Sequence, residues 1–343
     1  MKTLTLTASL IASACAATPL LAEDLNTGLQ QIAIADPQGQ RPLDGFLFYP
    51  TKDTDTTPSL GNPVWASLPI VADAATLPQR HPLVLMSHGM FGNARNQAWL
   101  AAQLTQQGYM VAAINHPGTT TFNRDPDQRR MLWERPKDIS RALTHLLRDP
   151  ATMELIDPDR IYMAGHSLGG FTAVALAGGR YDAAGLDAFC AASTDDLVCG
   201  IFQGWQVAQT NADRAMMEQD LSDNRIKAFA VFDLGGTQTF DAQSLGAIDT
   251  PLLVYGAPIA NSGIDLDVES RDLITKTPPA LTTYLEPADL AHFDFLGQCT
   301  AKGLAILREE EPQDAFVCEN GTEPRAAHHA QIAQTVSAFF AGH

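Results

Sequence analysis

Positive charge is scarce in this chain: 22 Lys and Arg stand against 39 Asp and Glu, a formal net charge of −17 at pH 7. That balance argues against nucleic acid and anionic membrane surfaces as partners, since both are polyanions. A solvated acidic surface accounts for it. Beyond the first residues no run has the length or apolarity of a membrane-crossing helix, so no integral membrane association is expected. Gly and Pro, 25 and 21 residues, are not in excess, which excludes fibrous and disordered classes. Cysteine is sparse, five in all, and the spacings lack the close pairs with nearby histidines of a zinc site, so no metal is expected. Repeats and low-complexity tracts are missing too. What remains is a globular chain whose core needs neither metal nor disulfide to form.

The N-terminus reads as an export signal. Lys2 gives a positive start, Leu4 to Ala17 is apolar and uncharged, and the first acids are Glu23 and Asp24. Cleavage is expected near Ala22, or earlier near Ala16. Residues 1–22 are thus a leader, 23–343 a single catalytic domain, and the location periplasmic or secreted. Cys15 follows Ala12-Ser13-Ala14, a loose likeness to a lipoprotein site without the usual Leu. Its removal leaves four cysteines, which allow three connectivities. Cys190–Cys199 and Cys299–Cys318 are favoured because each closes a local loop.

Apolar runs alternate with helical stripes along the chain. Residues 30–35 and 43–49 suggest an antiparallel pair of strands at one edge, and 51–81, rich in Thr, Asp and Pro, an irregular connection. From Pro82 onward the rhythm changes. Strands are expected at 82–86, 109–114, 160–164, 227–232, 251–255 and 281–285. Helices are expected at 96–107, from Pro136, at 170–177 and at the C-terminus. That alternation predicts an α/β class: a mostly parallel central sheet with helices on both faces. The stretch 178–225 is too long for a plain connection and reads as a lid-like insertion with a helix near 212–221.

Gly165-His166-Ser167-Leu168-Gly169-Gly170 lies between a strand and a small-residue helix, the context of a nucleophile elbow. A serine on so tight a turn crowds its neighbours, and Gly165 and Gly169 relieve the crowding. A hydroxyl needs a base held by a third group. His292, in a loop after the last strand, is the expected base, ahead of His81, His116, His145, His328 and His329. The acid is expected at Asp233, at a strand's carboxyl end, with Asp265 and Asp267 after the next strand as alternatives. Oxyanion donors are expected at the backbone N–H groups of Met90 and Leu168. Met90, Phe91, His166 and Leu168 should line the substrate pocket.

Four segments carry a resemblance: SHGMFGN at 87–93, INHPG at 114–118, AGHSLGG at 164–170 and HFDFLGQC at 292–299. Together they resemble the α/β-hydrolase superfamily, in particular a bacterial branch labelled predicted dienelactone hydrolases and similar to platelet-activating-factor acetylhydrolases. The likeness runs from about Pro82 to the C-terminus. It implies esterase or lipase-type chemistry without a cofactor, an acid at Asp233, and oxyanion donors at Met90 and Leu168. Dienelactone hydrolases carry cysteine at the elbow, where this chain has Ser167. The 178–225 segment departs from the acetylhydrolase pattern.

The expected function is a serine carboxylic ester hydrolase acting on short-acyl or polyester-like esters. An acyltransferase or peptidase with the same triad is the first alternative. A non-catalytic binding protein on the same scaffold is the second.

Overall fold

The computed structural model describes residues 24–343; the expected leader and Cys15 lie outside them. Ten strands form one sheet: β1 (Asn26–Ile34), β2 (Leu43–Thr51), β3 (Thr56–Ser59), β4 (Leu68–Ala72), β5 (His81–Ser87), β6 (Met110–Ile114), β7 (Ile156–His166), β8 (Ala228–Phe232), β9 (Leu252–Tyr255) and β10 (Thr282–Leu285). Their spatial order is β10-β9-β8-β7-β5-β6-β2-β1-β4-β3. The six from β6 to β10 through β5 run parallel. β2 pairs antiparallel with β6 and with β1.

Strands buried on both faces read as unbroken apolar runs, because each side chain meets a helix layer whichever way it points. β5 illustrates this: Leu83 and Leu85 enter one core while Val84 and Met86 enter the other. The first core packs the sheet against helices Glu134–Leu146 and Leu168–Ala177; the second packs it against Ala98–Thr105 and the C-terminal helix Thr322–Ala341. Pro136 falls in the first turn of its helix, where a backbone N–H has no intrahelical acceptor to lose.

Three sequence expectations need correction. Residues 51–81 are not merely irregular, since they carry β3 and β4, an antiparallel pair in which Pro58 faces Pro69. Those prolines mask the strands, yet an edge tolerates them. The β1–β2 pair is accordingly not the rim of the sheet, because β4 runs parallel to β1 and β3 lies outside it. The 178–225 segment holds three helices, Ala183–Ala192, Leu197–Gly204 and Asn211–Met217, of which only the last was anticipated.

Both expected disulfides are present. Cys190–Cys199 ties the first two of those helices together, and Cys299–Cys318 closes a loop before the C-terminal helix. Among the described residues no helix is long and apolar enough to cross a membrane.

Candidate active site

Ser167 stands between β7 and the helix Leu168–Ala177 with φ at +55°. Few residues other than glycine hold that conformation, and those that do cluster at functional sites. The turn is closely packed. A Cβ on Gly165 would come within 2.0 Å of the Gly169 carbonyl oxygen, and one on Gly169 within 1.9 Å of the Ser87 carbonyl oxygen. The Ser167 N–H donates to the Phe232 carbonyl at 2.9 Å, which fixes the elbow against β8. Leu168 opens the helix, so its N–H has no acceptor within that helix.

Asp233 follows β8 directly, at φ +40° and almost fully buried. Its Oδ1 accepts the Ala257 N–H at 2.9 Å, and its Oδ2 lies 2.6 Å from His292 Nδ1. A carboxylate can only accept, so Nδ1–H donates and Nε2 keeps its lone pair. His292 begins a short 3-10 turn, His292–Phe295, beyond β10. Of the three acids weighed from sequence, Asp233 is the one on His292. Asp267 pairs with Arg271 at 2.7 Å, and Asp265 accepts the Asp267 N–H at 3.0 Å.

The turn bearing His292 has its own support, which sequence reasoning missed. Asp294 is fully buried and accepts from Ala291 N–H (2.9 Å), Asn320 (3.1 Å) and Arg325 (3.3 Å). His329 Nε2 reaches the carbonyl oxygens of Asp294 and Leu296 at 2.8 and 2.9 Å. His166 Nε2 donates to the His292 carbonyl at 2.9 Å, while its Nδ1 is buried without a partner. Burial, then the neighbouring His292, holds the His166 ring well below the ordinary imidazole pKa.

The loop after β5 approaches Ser167 from the other side. A Cβ on Gly89 would sit 3.1 Å from Ser167 Cβ. Met90 is exposed on the cavity, and Phe91 holds φ +53°, with its N–H on the Thr119 carbonyl (2.8 Å) and its carbonyl taking the Thr121 hydroxyl (2.6 Å). Beneath this loop runs a sealed polar network. Ser87 Oγ lies 2.9 Å from His116 Nε2, and His116 Nδ1 lies 3.0 Å from Asp138 Oδ2. Arg41 grips Asp138 with two bonds of 2.8 and 2.7 Å. Arg135 donates to Ser87 (3.1 Å), Thr119 (2.6 Å), Thr172 (3.0 Å) and the His88 carbonyl. His88 donates from Nδ1 to the Gly89 carbonyl (2.7 Å) and accepts the His116 N–H at Nε2 (3.1 Å), which sets its tautomer. Burial, then the Arg135 charge, keeps His88 and His116 far below the usual imidazole range. One sequence signal could have found this network: Arg135, Asp138 and Ala142 share one helical face, so two charges point into an apolar stripe.

Ser167, His166, Leu168, Met90, Phe91 and His292 line one cavity of about 890 Å³. The 178–225 segment supplies one part of its wall through Leu197, Val198, Ile201, Phe202 and Trp205. Among the described residues no group of three or more His, Cys, Asp or Glu is placed to hold a metal ion.

A family profile described as "Serine aminopeptidase, S33" matches residues 78–199. Over 101 residues the chain is 32% identical to "Cutinase est2" of Thermobifida alba and 31% identical to a cutinase of Thermobifida fusca (strain YX), covering 29% of this chain in each case. The chain aligns with only 31% and 29% of the length of those two relatives. Among solved structures, a ferulic acid esterase from Streptomyces cinnamoneus is similar with a TM-score of 0.60 and 22% identity, covering 95% of this chain and 92% of that one. At that identity the likeness is one of fold.

Proposed function

We propose that the chain, which has the α/β-hydrolase fold, belongs to that superfamily and is a serine carboxylic ester hydrolase. The observation that carries the reading is the 2.6 Å bond from Asp233 to His292 beside a cavity shared with the strained Ser167. Ser167 Oγ attacks the ester carbonyl carbon while His292 Nε2 takes its proton. Asp233 stabilises the imidazolium that forms and fixes the ring's tautomer. The tetrahedral oxyanion sits on the N–H groups of Leu168 and Met90, donors present before charge develops. Collapse expels the alcohol, protonated by His292. Water, deprotonated by the same ring, then releases the acid from the acyl-enzyme. None of these steps calls on a cofactor.

The likeness to cutinases supports ester over amide chemistry. The aromatic walls and volume of the cavity suit short-acyl or polyester-like substrates, with segment 178–225 acting as the lid. The motif likeness to the acetylhydrolase branch supports the role of Asp233. Two disulfides support a periplasmic or secreted setting, because such bonds persist in oxidising compartments.

The test is hydrolysis of a chain-length series of p-nitrophenyl esters by the wild type and by Ser167→Ala. Loss of kcat by roughly 10⁴- to 10⁶-fold in the variant is expected. A folded wild type that ignores every ester but cleaves aminoacyl anilides would move the assignment to a peptidase.

A further inference from the structure

Positive charge is scarce in this chain, yet two arginines without a carboxylate partner stand against aromatic residues that line the cavity. Arg124 stacks with its Cζ 4.5 Å from the centre of the Phe91 ring. Arg129 lies 5.8 Å from Phe91 and 5.4 Å from Trp205, and those two rings are 5.4 Å apart. Phe91, Trp205 and Arg124 all line the cavity that contains Ser167. Among the described residues neither arginine has a carboxylate partner, and Arg129 Nε is buried with no hydrogen bond at all.

This arrangement needs a cause in a chain of net charge −17. Two nearby arginines find acids, Arg130 pairing with Asp213 at 2.6 Å and Arg214 with Asp187 at 2.7 Å, whereas Arg95, also on the cavity, lies over Phe46 at 5.6 Å. The carboxylate next to Arg124 is already used, since Asp125 caps the short helix Pro126–Arg129 through the N–H groups of Asp127 and Gln128. The acids on the cavity, Glu311 and Asp314, belong to a different wall built from residues 297–317. A guanidinium held over an aromatic face by cation–π attraction keeps N–H groups that can grip a planar anion. Position matters as well. Phe91 is the residue after the expected oxyanion donor, and its strained backbone is held by Thr119 and Thr121 of the loop that carries Arg124.

We propose that Arg124 and Arg129, stacked on Phe91 and Trp205, form a subsite for a carboxylate on the substrate, so that the enzyme favours half-esters bearing a free acid over neutral esters of the same length. This rests on the ester hydrolase reading above. The subsite sets specificity and takes no part in bond making. The carboxylate docks on the two guanidiniums while the ester carbonyl reaches Ser167.

The experiment compares kcat/KM for mono-p-nitrophenyl adipate and p-nitrophenyl hexanoate, which share acyl length and leaving group and differ in the terminal carboxylate. Wild type is set against the Arg124→Gln/Arg129→Gln double variant, with spontaneous hydrolysis subtracted. The ratio of the two values on one preparation does not depend on how much of the variant has folded. A ratio favouring the adipate in wild type, falling about tenfold in the variant and also eroding as salt is raised, is expected. A wild type without that preference, or a ratio unchanged by the substitutions, overturns the subsite. If wild type hydrolyses neither ester, the hydrolase reading fails and binding decides the subsite alone. Monomethyl adipate is then titrated into Ser167→Ala with and without the two substitutions. A Kd raised about tenfold upholds the subsite, and an unchanged Kd overturns it.

Discussion

The molecule brings Ser, His and Asp together twice. At the cavity His292 bonds Asp233 beside Ser167; beneath the Ser87–Gly92 loop, Ser87, His116 and Asp138 form a fully hydrogen-bonded chain. The residue types are alike and the surroundings are opposite. Ser87, His116 and Asp138 are each at most 1% exposed, so no substrate can reach them. Arg135 stands against the Ser87 oxygen and Arg41 against the Asp138 carboxylate, so a proton arriving on His116 would meet two cations. Ser167 instead sits on a strained elbow with a cavity in front of it, and no guanidinium bonds His292 or Asp233 among the described residues. A triad is therefore identified by access, by the strain of its nucleophile and by what faces its histidine, more than by its three letters. The buried set forms the floor beneath the Ser87–Gly92 loop.

The widest gap between the two sets should appear on replacing their acids. Asp233→Asn should lower kcat on a p-nitrophenyl ester by about 10⁴-fold with little change in the urea midpoint. Asp138→Asn should do the reverse, costing about 3–5 kcal/mol of stability because Arg41 loses a buried partner, while folded protein still turns over. A collapse of turnover in folded Asp138→Asn would break the distinction. A smaller effect sharpens it. Glu269 is a buried carboxyl outside both sets, accepting the N–H groups of Gly236 and Thr237 (2.7 Å each) in the loop that follows Asp233. Burial pushes it up from the ordinary 4.5 to about 7, against those two bonds. The folded state thus holds a proton that the unfolded state releases, and stability falls as pH rises from about 4.5 through 7. Glu269→Gln should flatten that window by the order of 1–3 kcal/mol in urea unfolding. An unaltered pH slope would remove Glu269 from the account.

The parts of the site legible in the sequence were those with strong local constraints. Gly165 and Gly169 announce the elbow because no Cβ fits at either position. His292 and Asp233 follow from their places after particular strands, and both disulfides from short loop closure. The strands β3 and β4 were hidden by Pro58 and Pro69, whose propensity argues against a ladder they join only at the sheet's edge. Helix Ala183–Ala192 was missed because its small residues give no clear apolar stripe, and Leu197–Gly204 because it is only two turns long, although Val198, Ile201, Phe202 and Trp205 fall at helical spacing. Long-range partners escaped for a different reason. Nothing near His116 in the chain names Asp138 or Arg41 as its neighbours, and nothing near Phe91 names Trp205. Such pairings exist only once the sheet has brought distant loops to one edge.

The most direct test of the central claim is labelling with an organophosphate ester followed by peptide mass spectrometry. The account predicts a single adduct on the peptide containing Ser167, absent after the Ser167→Ala substitution. An adduct on Ser87, or a folded protein that takes no label while hydrolysing esters, would contradict it.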